Sequence, residues 1–479
     1  MSDCCAPTPK SGNGRYDLVV VGAGSAGFSA AIAAADEGAQ VALVGNGTIG
    51  GTCVNVGCVP SKTLIRATEA VHQANGASRR FAGIEGHGRI SNWSSVAAQK
   101  DDLVSSLRQA KYVDLLPEYN NVTYCEGAAR LVDDGVEAGG NLLKSDRIIV
   151  ATGARPSVPP IPGIETVDFL DSTSALALVE LPRSMIVVGG GYVGAELAQM
   201  FARAGVTVTL VFRSRLLPEA EPEIGQALAG YLAEEGIQIV SGVAYRSVSK
   251  TDAGDVMLAL TRGGHLETVT ADRLLVATGR TPNIEGLGLS SMGVAQGPSG
   301  AIVVDDRMRT SRAGIYAAGD VTGRDQFVYM AAYGAKLAAR NALNGNNLRY
   351  DSTAMPAVVF TDPQVANVGL TEARARARGH DVRTSVITLD NVPRALATRD
   401  TRGLIKLVAD GATRKLLGAH ILAPEGADSI QTAALAIRAG LTIDELADTI
   451  FPYLTTVEGL KLAAQTFDRD VKKLSCCAG

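Results

Sequence analysis

One local pattern occurs twice in this chain, and it leaves few folds open. Tyr16-Asp17-Leu18-Val19-Val20-Val21 is an apolar run that ends in Gly22-Ala23-Gly24-Ser25-Ala26-Gly27, followed by an alanine-rich stretch and a second run, Gln40-Val41-Ala42-Leu43-Val44. In the same way Ser184-Met185-Ile186-Val187-Val188 leads through Gly189-Gly190-Gly191-Tyr192-Val193-Gly194 and Ala195 to Arg203 into Val206-Thr207-Val208-Thr209-Leu210-Val211. A strand this uniformly apolar needs cover on both faces, as in a parallel sheet flanked by helices. Glycines at this spacing allow a tight turn, a close backbone approach to a pyrophosphate, and a helix seated near its strand. The N–H groups and positive dipole end of the following helix then receive the anion. A single loop of this kind is weak evidence. Two, each between a strand and a helix, predict two dinucleotide sites and an electron transfer between them.

Two further echoes, Ala151-Thr152-Gly153-Ala154-Arg155-Pro156 and Ala277-Thr278-Gly279-Arg280-Thr281-Pro282, each follow an apolar strand and mark the crossings between domains. From about Asp351 the texture changes to alternating strands and amphipathic helices without a nucleotide motif. The expected fold is therefore α/β, with two Rossmann-like dinucleotide-binding domains plus a C-terminal α+β domain. Residues 1–15 read as a flexible, cysteine-containing tail, 16–155 with 285–350 as the first dinucleotide domain, 156–284 as the second, and 351–479 as the C-terminal domain. A length of 479 residues suits about three domains.

Net charge is −4 and no long Lys/Arg run occurs, which argues against nucleic acid or an anionic membrane as partner. The start, Met1-Ser2-Asp3-Cys4-Cys5, lacks the basic-then-apolar layout of a signal peptide. Leu18 to Ala35 is uncharged, but its glycines and alanines read as strand, turn and helix rather than a membrane span. The expected location is the cytoplasm.

The chain has seven cysteines, an odd number that argues against a secreted disulfide scaffold. Cys125, in the strand-like Val122-Thr123-Tyr124-Cys125, reads as ordinary packing. Cys53 and Cys58 differ, lying in Gly50-Gly51-Thr52-Cys53-Val54-Asn55-Val56-Gly57-Cys58-Val59-Pro60-Ser61-Lys62 at the start of an expected helix. Their spacing fits neither a zinc site nor a C-x-x-C motif. A helix N-terminus favours the thiolate, and a thiolate beside an oxidised flavin can donate charge to it or attack it. After the second strand of the second unit come Arg213-Ser214-Arg215, two cations and no carboxylate, which suit the 2′-phosphate of NADPH. In the first unit Val44 is followed by Gly45-Asn46, so the acid expected for an adenosine ribose is missing.

Together these residues resemble the pyridine nucleotide–disulfide oxidoreductases, from Tyr16 nearly to the end. The resemblance runs through both glycine loops, both Ala-Thr-Gly stretches and Ile315-Tyr316-Ala317-Ala318-Gly319-Asp320. It implies a glutathione reductase-like fold, FAD and NADPH as cofactors, and a C-terminal domain that forms a homodimer. It also implies a redox-active Cys53–Cys58 disulfide, with Cys58 against the flavin and Cys53 exchanging with substrate. Lys62 would lie near flavin N5 with Glu196 as its ion-pair partner, Asp320 would hold the ribityl chain, and Tyr192 would stand where nicotinamide docks. Besides the loop glycines Gly22, Gly24, Gly27, Gly189, Gly191 and Gly194, the cofactor-binding positions it implies are Gly47, Thr52, Ala129, Thr152, Gly153, Gly279, Arg280, Gly319 and Val328.

Disulfide-reducing members carry a His-Pro-Thr stretch near the C-terminus, with a Glu five residues after the His. Here the matching stretch is Phe451-Pro452-Tyr453-Leu454-Thr455-Thr456-Val457-Glu458, so Tyr453 stands in the histidine's place. An ordinary tyrosine, with a pKa near 10, is about 0.1% ionised at pH 7 and serves poorly as a proton acceptor. A soft metal ion needs no such relay, because thiolates bind it directly. The chain ends Ser475-Cys476-Cys477-Ala478-Gly479. Adjacent Cα atoms lie about 3.8 Å apart, below the usual disulfide range of about 4.4–6.8 Å, so this pair should remain two thiols. Tyr453 and the terminal pair resemble the branch of the family that reduces Hg(II) to Hg(0). That branch implies Hg(II) and small thiols as partners, metal ligation by Cys53, Cys58, Cys476 and Cys477, and an active site shared between subunits. Many of its members carry an N-terminal C-x-x-C domain that this sequence lacks. Cys4-Cys5 reads either as a minimal scavenger of the metal or as an inert remnant. Two rival functions stay open: an NAD(P)H-dependent disulfide reductase such as a lipoamide dehydrogenase, and a non-catalytic flavoprotein that sequesters soft metals.

Overall fold

The computed structural model describes residues 14–473, so Cys4, Cys5, Cys476 and Cys477 lie outside the described residues. The chain forms two compact units. The first takes residues up to Ser61, Ala97–Ser157 and Gly279–Asp351; the second takes Lys62–Val96, Val158–Thr278 and Ser352 onward.

In the first unit β1 (Leu18–Val21), β2 (Val41–Gly45) and β3 (Val122–Glu126) join Ile148–Val150 and Ile315–Ala317 in a five-stranded parallel sheet. The order across it is Ile315–Ala317, Ile148–Val150, β1, β2, β3. Side chains alternate between faces along a strand. Leu18 and Val20 enter a core shared with α1 (Ser25–Asp36) and the helix Val328–Asn344. Val19 and Val21 enter another core, shared with the antiparallel ribbon Ala129–Val132, Gly135–Ala138 and Asn141–Lys144. Cover on both faces explains why β1 reads as unbroken valine and leucine.

The second unit repeats this plan. Gln238–Ser241, Thr207–Phe212, Ser184–Val188 and Arg273–Val276 form a parallel sheet. Met185 and Val187 face a core containing Ala195, Leu197 and Phe201 of the helix Tyr192–Arg203. Ile186 and Val188 face the core of an antiparallel ribbon, Val243–Lys250, Val256–Arg262 and His265–Ala271. The same unit contains a five-stranded antiparallel sheet, ordered Pro356–Val359, Gln364–Gly369, Leu416–Ala423, Leu404–Asp410, Val382–Thr388. The helices Gly426–Ala439 and Glu458–Gln465 contribute to its core. The uncharged stretch Leu18 to Ala35 is a buried strand, turn and helix, and among the described residues no helix is long and apolar enough to cross a membrane.

The two Ala-Thr-Gly echoes have a more definite role than a crossing point. Ala154–Pro156 pairs antiparallel with Arg280–Pro282, so the chain leaves and re-enters the first unit on one short ribbon. Gly279 and Arg280 consequently belong to the first unit, whereas the sequence assigned 156–284 as a block to the second dinucleotide domain.

Lys406, on Leu404–Asp410, has a side chain only 3% exposed and ion pairs to Glu221 (3.1 Å), Glu223 (2.9 Å) and Glu372 (3.0 Å). Burial works against its charge, but these carboxylates overcome that and hold the ammonium well above the ordinary lysine value. The stabilisation is therefore complete at neutral pH and is lost only as pH climbs past the unfolded value, near 10.4, through the higher folded one. Removing the cation strands Glu221, itself 3% exposed, as a buried unpaired charge. Lys406→Met is expected to lower stability in urea denaturation at pH 7 by about 3 kcal/mol. A loss below about 0.5 kcal/mol, the size of an ordinary surface change, would contradict this account.

Candidate active site

The first glycine loop is shaped by what it cannot accommodate. Gly22 has φ of +118°, and a Cβ there would collide with the carbonyl of Ala151; one at Gly27 would collide with the carbonyl of Gly22. Helix α1 thus starts pressed onto the end of β1. Gly24 bridges to Gly50, and the Gly50 N–H donates to the Ala23 carbonyl at 2.9 Å. A Cβ on Gly51 would lie 2.6 Å from the Cα of Gly24. Helix α2 (Gly51–Val56), which carries Cys53, is therefore seated directly on the nucleotide loop. Asn55, between the two cysteines, fastens it: its Nδ2 donates to the carbonyls of Ile49 and Gly51 at 2.9 Å each, and its Oδ1 accepts from Arg108 at 3.2 Å.

The two thiols do not share one helix start, as the sequence suggested. Gly57 leaves helical geometry, at φ −130° and ψ −109°, and α3 (Cys58–Arg80) begins afresh at Cys58. A Cβ on Gly57 would press to 2.9 Å from the Thr52 carbonyl, so only glycine closes this break comfortably. Cys53 is half-buried and Cys58 is exposed. Thr52 is exposed on α2, and Gly47, with φ of +88°, is exposed in the bend before it.

The echoes supply another wall of the same unit. Thr152 Oγ1 donates to the Asn283 carbonyl (2.6 Å), Asn283 Nδ2 donates to the Thr152 carbonyl (3.0 Å), and the Asn283 N–H donates to the Gly153 carbonyl (3.0 Å). Arg280 donates from Nη2 to the Ala154 carbonyl. Its Nε lies 3.4 Å from Asp320 Oδ2, near enough for attraction, yet it is buried without an aligned hydrogen-bond partner among the described residues. Burial pushes the Asp320 carboxyl above its usual range, although Arg280 pulls the other way. Gly319, at φ +78°, precedes this acid at the start of a short 3-10 helix, and a Cβ there would press on Ala26 of α1 at 3.1 Å. An unmet buried N–H and a desolvated carboxyl, in one unit with the glycine loop, fit a polyhydroxylated chain that can accept from one and donate to the other. The ribityl chain of FAD has that chemistry. Ala129 opens the strand Ala129–Val132 and Val328 opens the helix Val328–Asn344 in this unit.

In the second unit the glycine geometry repeats: a Cβ on Gly189 would collide with the Ala277 carbonyl, and one on Gly194 with the Gly189 carbonyl. At Gly191 a Cβ would meet nothing within 4 Å, leaving room for a ligand at the helix start. Tyr192, the first residue of that helix, is half-buried, and burial raises its phenol above the ordinary value. Lys62 Nζ lies 2.6 Å from Glu196 Oε2. The other Glu196 oxygen accepts from the Phe360 N–H at 2.9 Å, and the Phe360 ring lies 4.8 Å below the ammonium. Arg213 and Arg215 are both exposed beyond Thr207–Phe212, but they differ. Arg215 spends Nη2 on the carbonyls of Pro218 (2.5 Å) and Ala220 (2.9 Å), whereas Arg213 makes no hydrogen bond among the described residues. Arg213 is thus the more available cation.

Sequence reasoning missed Asn55, Asn283 and Phe360. Asn283 had a signal, since it follows directly on the second Thr-Pro echo. Phe360 acts on Glu196 through its backbone, and no sequence pattern announces that. Tyr453 is 53% exposed. Glu458, five residues on, is buried with Oε2 unpartnered among the described residues, and burial raises its carboxyl above the usual range. Among the described residues no group of three or more His, Cys, Asp or Glu side chains could hold a metal ion. Cys125 is buried in the sheet, which pushes its thiol up to about 11.

Two outcomes follow from these environments. A carboxyl raised by folding costs stability as pH climbs through the unfolded value, near 3.9, toward the folded one. Asp320→Asn is therefore expected to raise the Tm of flavin-free protein at pH 7 while weakening FAD binding at least tenfold; a lowered Tm would contradict the assignment. In reduced protein at pH 8, iodoacetamide should modify Cys53 and Cys58 well before Cys125, as read by peptide mass mapping. Equal rates at the three thiols would count against the buried environment of Cys125.

Comparison with known proteins agrees with this architecture. The family pattern described as pyridine nucleotide-disulphide oxidoreductase matches residues 16–339, and its dimerisation domain matches residues 355–464. A mercuric reductase from Lysinibacillus sphaericus is 48% identical over 97% of this chain and 85% of its own length. One from Streptomyces lividans is 47% identical over 97% of this chain and 98% of its own length. The solved structure of the HOCl-induced flavoprotein disulfide reductase RclA from Escherichia coli, as a Cu(II) complex, superposes with a TM-score of 0.83 at 30% identity, covering 94% of this chain and 99% of that one. Two dinucleotide folds, a cysteine-bearing helix mounted on the first glycine loop and these matches lead to one conclusion: the chain belongs to the pyridine nucleotide-disulphide oxidoreductase family.

Proposed function

We propose that this chain is an FAD-containing, NADPH-dependent reductase of Hg(II), working as a homodimer in the cytoplasm. The observation that carries the reading is the seating of α2, which carries Cys53, on the nucleotide loop with Cys58 opening α3 directly after it, combined with Tyr453 where a disulfide reductase has its histidine. The overall conversion balances as Hg(II) + NADPH → Hg(0) + NADP⁺ + H⁺. Bound FAD supplies two-electron transfer between the nicotinamide and sulfur.

The chain's own groups bind, orient and hold charge. Residues 16–155 with 279–350 would hold FAD, 156–278 would hold NADPH and 351–479 would form the dimer interface. Gly22, Gly24 and Gly27 bring backbone N–H groups to one pyrophosphate, and Gly189, Gly191 and Gly194 to the other. Asp320 would accept from the ribityl chain, while Gly47, Thr52, Ala129, Thr152, Gly153, Gly279, Gly319 and Val328 would line the cofactors. Arg213, assisted by Arg215, would receive the 2′-phosphate. Tyr192 would shield a bound nicotinamide. Lys62, fixed by Glu196, would supply a positive charge to a bound flavin. Cys58, first residue of the 23-residue α3, is favoured as thiolate by the positive helix end.

Hg(II) arrives on Cys476 and Cys477 from the partner subunit and passes to Cys53 and Cys58 by ligand exchange, one S–Hg bond forming as another breaks. Tyr453 lines this path. A neutral phenol there does not compete for the ion, and no thiolate leaving group requires protonation. Small thiols carry the ion to the protein.

Purified protein with NADPH and Hg(II) in excess thiol is expected to consume NADPH and release mercury vapour. Oxidation of NADPH by glutathione disulfide or lipoamide, without any by Hg(II), would overturn the reading in favour of a disulfide reductase; protein that never binds flavin would favour a metal sequestrant. Cys476→Ala/Cys477→Ala should slow turnover on thiol-bound Hg(II) yet leave reduction of the flavin by NADPH intact. Loss of that reduction would refute the delivery role. Arg213→Ala should raise KM for NADPH about tenfold or more, since a charge-assisted hydrogen bond is lost, with little change for NADH. Equal effects on the two nucleotides would reject the assignment.

A further inference from the structure

The missing acid at the end of β2 has a structural explanation. Strands β2 and β3 pair in parallel, with Leu43 opposite Tyr124 and Gly45 opposite Glu126. The Tyr124 ring packs against the core that contains Leu43, and its hydroxyl reaches the end of β2. A Cβ on Gly45 would collide with Tyr124 Oη and stand 2.9 Å from both Cε2 and Cζ. Gly45 does not adopt a positive φ, so space, and not backbone conformation, requires glycine here. The phenol oxygen thus fills the volume from which the usual acidic side chain would grow. It has no hydrogen-bond partner among the described residues, although the residue is half-buried. Burial, with Glu126 and Cys125 nearby, holds the phenol above its ordinary value, so the group is a neutral hydroxyl at physiological pH.

We propose that the Tyr124 hydroxyl binds the adenosine ribose of FAD, in place of the carboxylate that normally ends β2. The proposal rests on the reading that FAD occupies the first unit. A carboxylate only accepts hydrogen bonds, whereas a phenol can donate one and accept another, and a ribose hydroxyl can do both. The replacement is a matched pair: Tyr124 requires glycine at 45, and glycine at 45 leaves the ribose dependent on Tyr124. Glu126, exposed and in register with Gly45, is the competing acceptor.

The test uses flavin-free full-length protein titrated with FAD, and with FMN, which lacks the adenosine, following flavin fluorescence. Tyr124→Phe is expected to weaken FAD about five- to tenfold, the worth of one hydrogen bond, and to leave FMN unchanged. Gly45→Glu alone should weaken FAD further, because it meets the phenol; Gly45→Glu with Tyr124→Val should recover affinity to within about twofold of the parent, consistent with an acid resuming the role. Unchanged FAD affinity in Tyr124→Phe overturns the assignment, as does equal weakening of FAD and FMN or a double variant no tighter than Gly45→Glu. Weakening by Glu126→Gln with none by Tyr124→Phe moves the contact to Glu126 and overturns it too. A parent protein that takes up no FAD refutes the underlying cofactor reading, and the proposal with it.

Discussion

Everything else in the first unit depends on one close approach of backbone to backbone: Gly24 against Gly50 and Gly51. A Cβ on Gly51 does not fit between these segments, and that contact places the cysteine-bearing α2 on the glycine loop of the first dinucleotide fold. Nucleotide binding and sulfur chemistry are therefore joined by van der Waals contact and one N–H to carbonyl bond, not by a flexible linker. Asn55 then fixes the helix from within the redox segment. Precision at a reactive centre needs this kind of support, since small displacements of reacting groups cost rate steeply.

Much of this was legible in the amino-acid sequence. The doubled strand, glycine loop and helix follow from rigid steric rules, and β1 and Ser184–Val188 are unbroken apolar runs because both of their faces are covered. The change of texture near Asp351 likewise announces the five-stranded antiparallel sheet. What escaped were features set by neighbours distant in sequence. The break at Gly57 depends on the Thr52 carbonyl, the hold on Glu196 depends on the backbone of Phe360, and the engagement of Arg215 depends on two loop carbonyls. Gly45 looked like an anomaly because its cause, Tyr124, sits on an adjacent strand nearly eighty residues later. Such pairings have no local signature, only a tertiary one.

The electrostatics divide by purpose. Where stability is at stake, buried charges are compensated, as Lys406 is by three carboxylates. Around Asp320, Arg280 and Glu458 the compensation is incomplete, leaving raised carboxyls and unmet polar atoms. Incomplete satisfaction in a native fold marks places where a ligand or partner completes the set. Glu458 is of special interest, because the acid that accompanies the histidine in disulfide reductases is retained here while the histidine is not.

The central claim is that electrons from the nicotinamide reach sulfur at Cys58, where a soft cation can then be bound. Anaerobic titration with NADPH, followed by absorbance, tests it most directly. The account predicts a long-wavelength charge-transfer band after two-electron reduction, abolished by Cys58→Ala and retained in Cys125→Ala. Reduction without that band, or a band that survives Cys58→Ala, would contradict it.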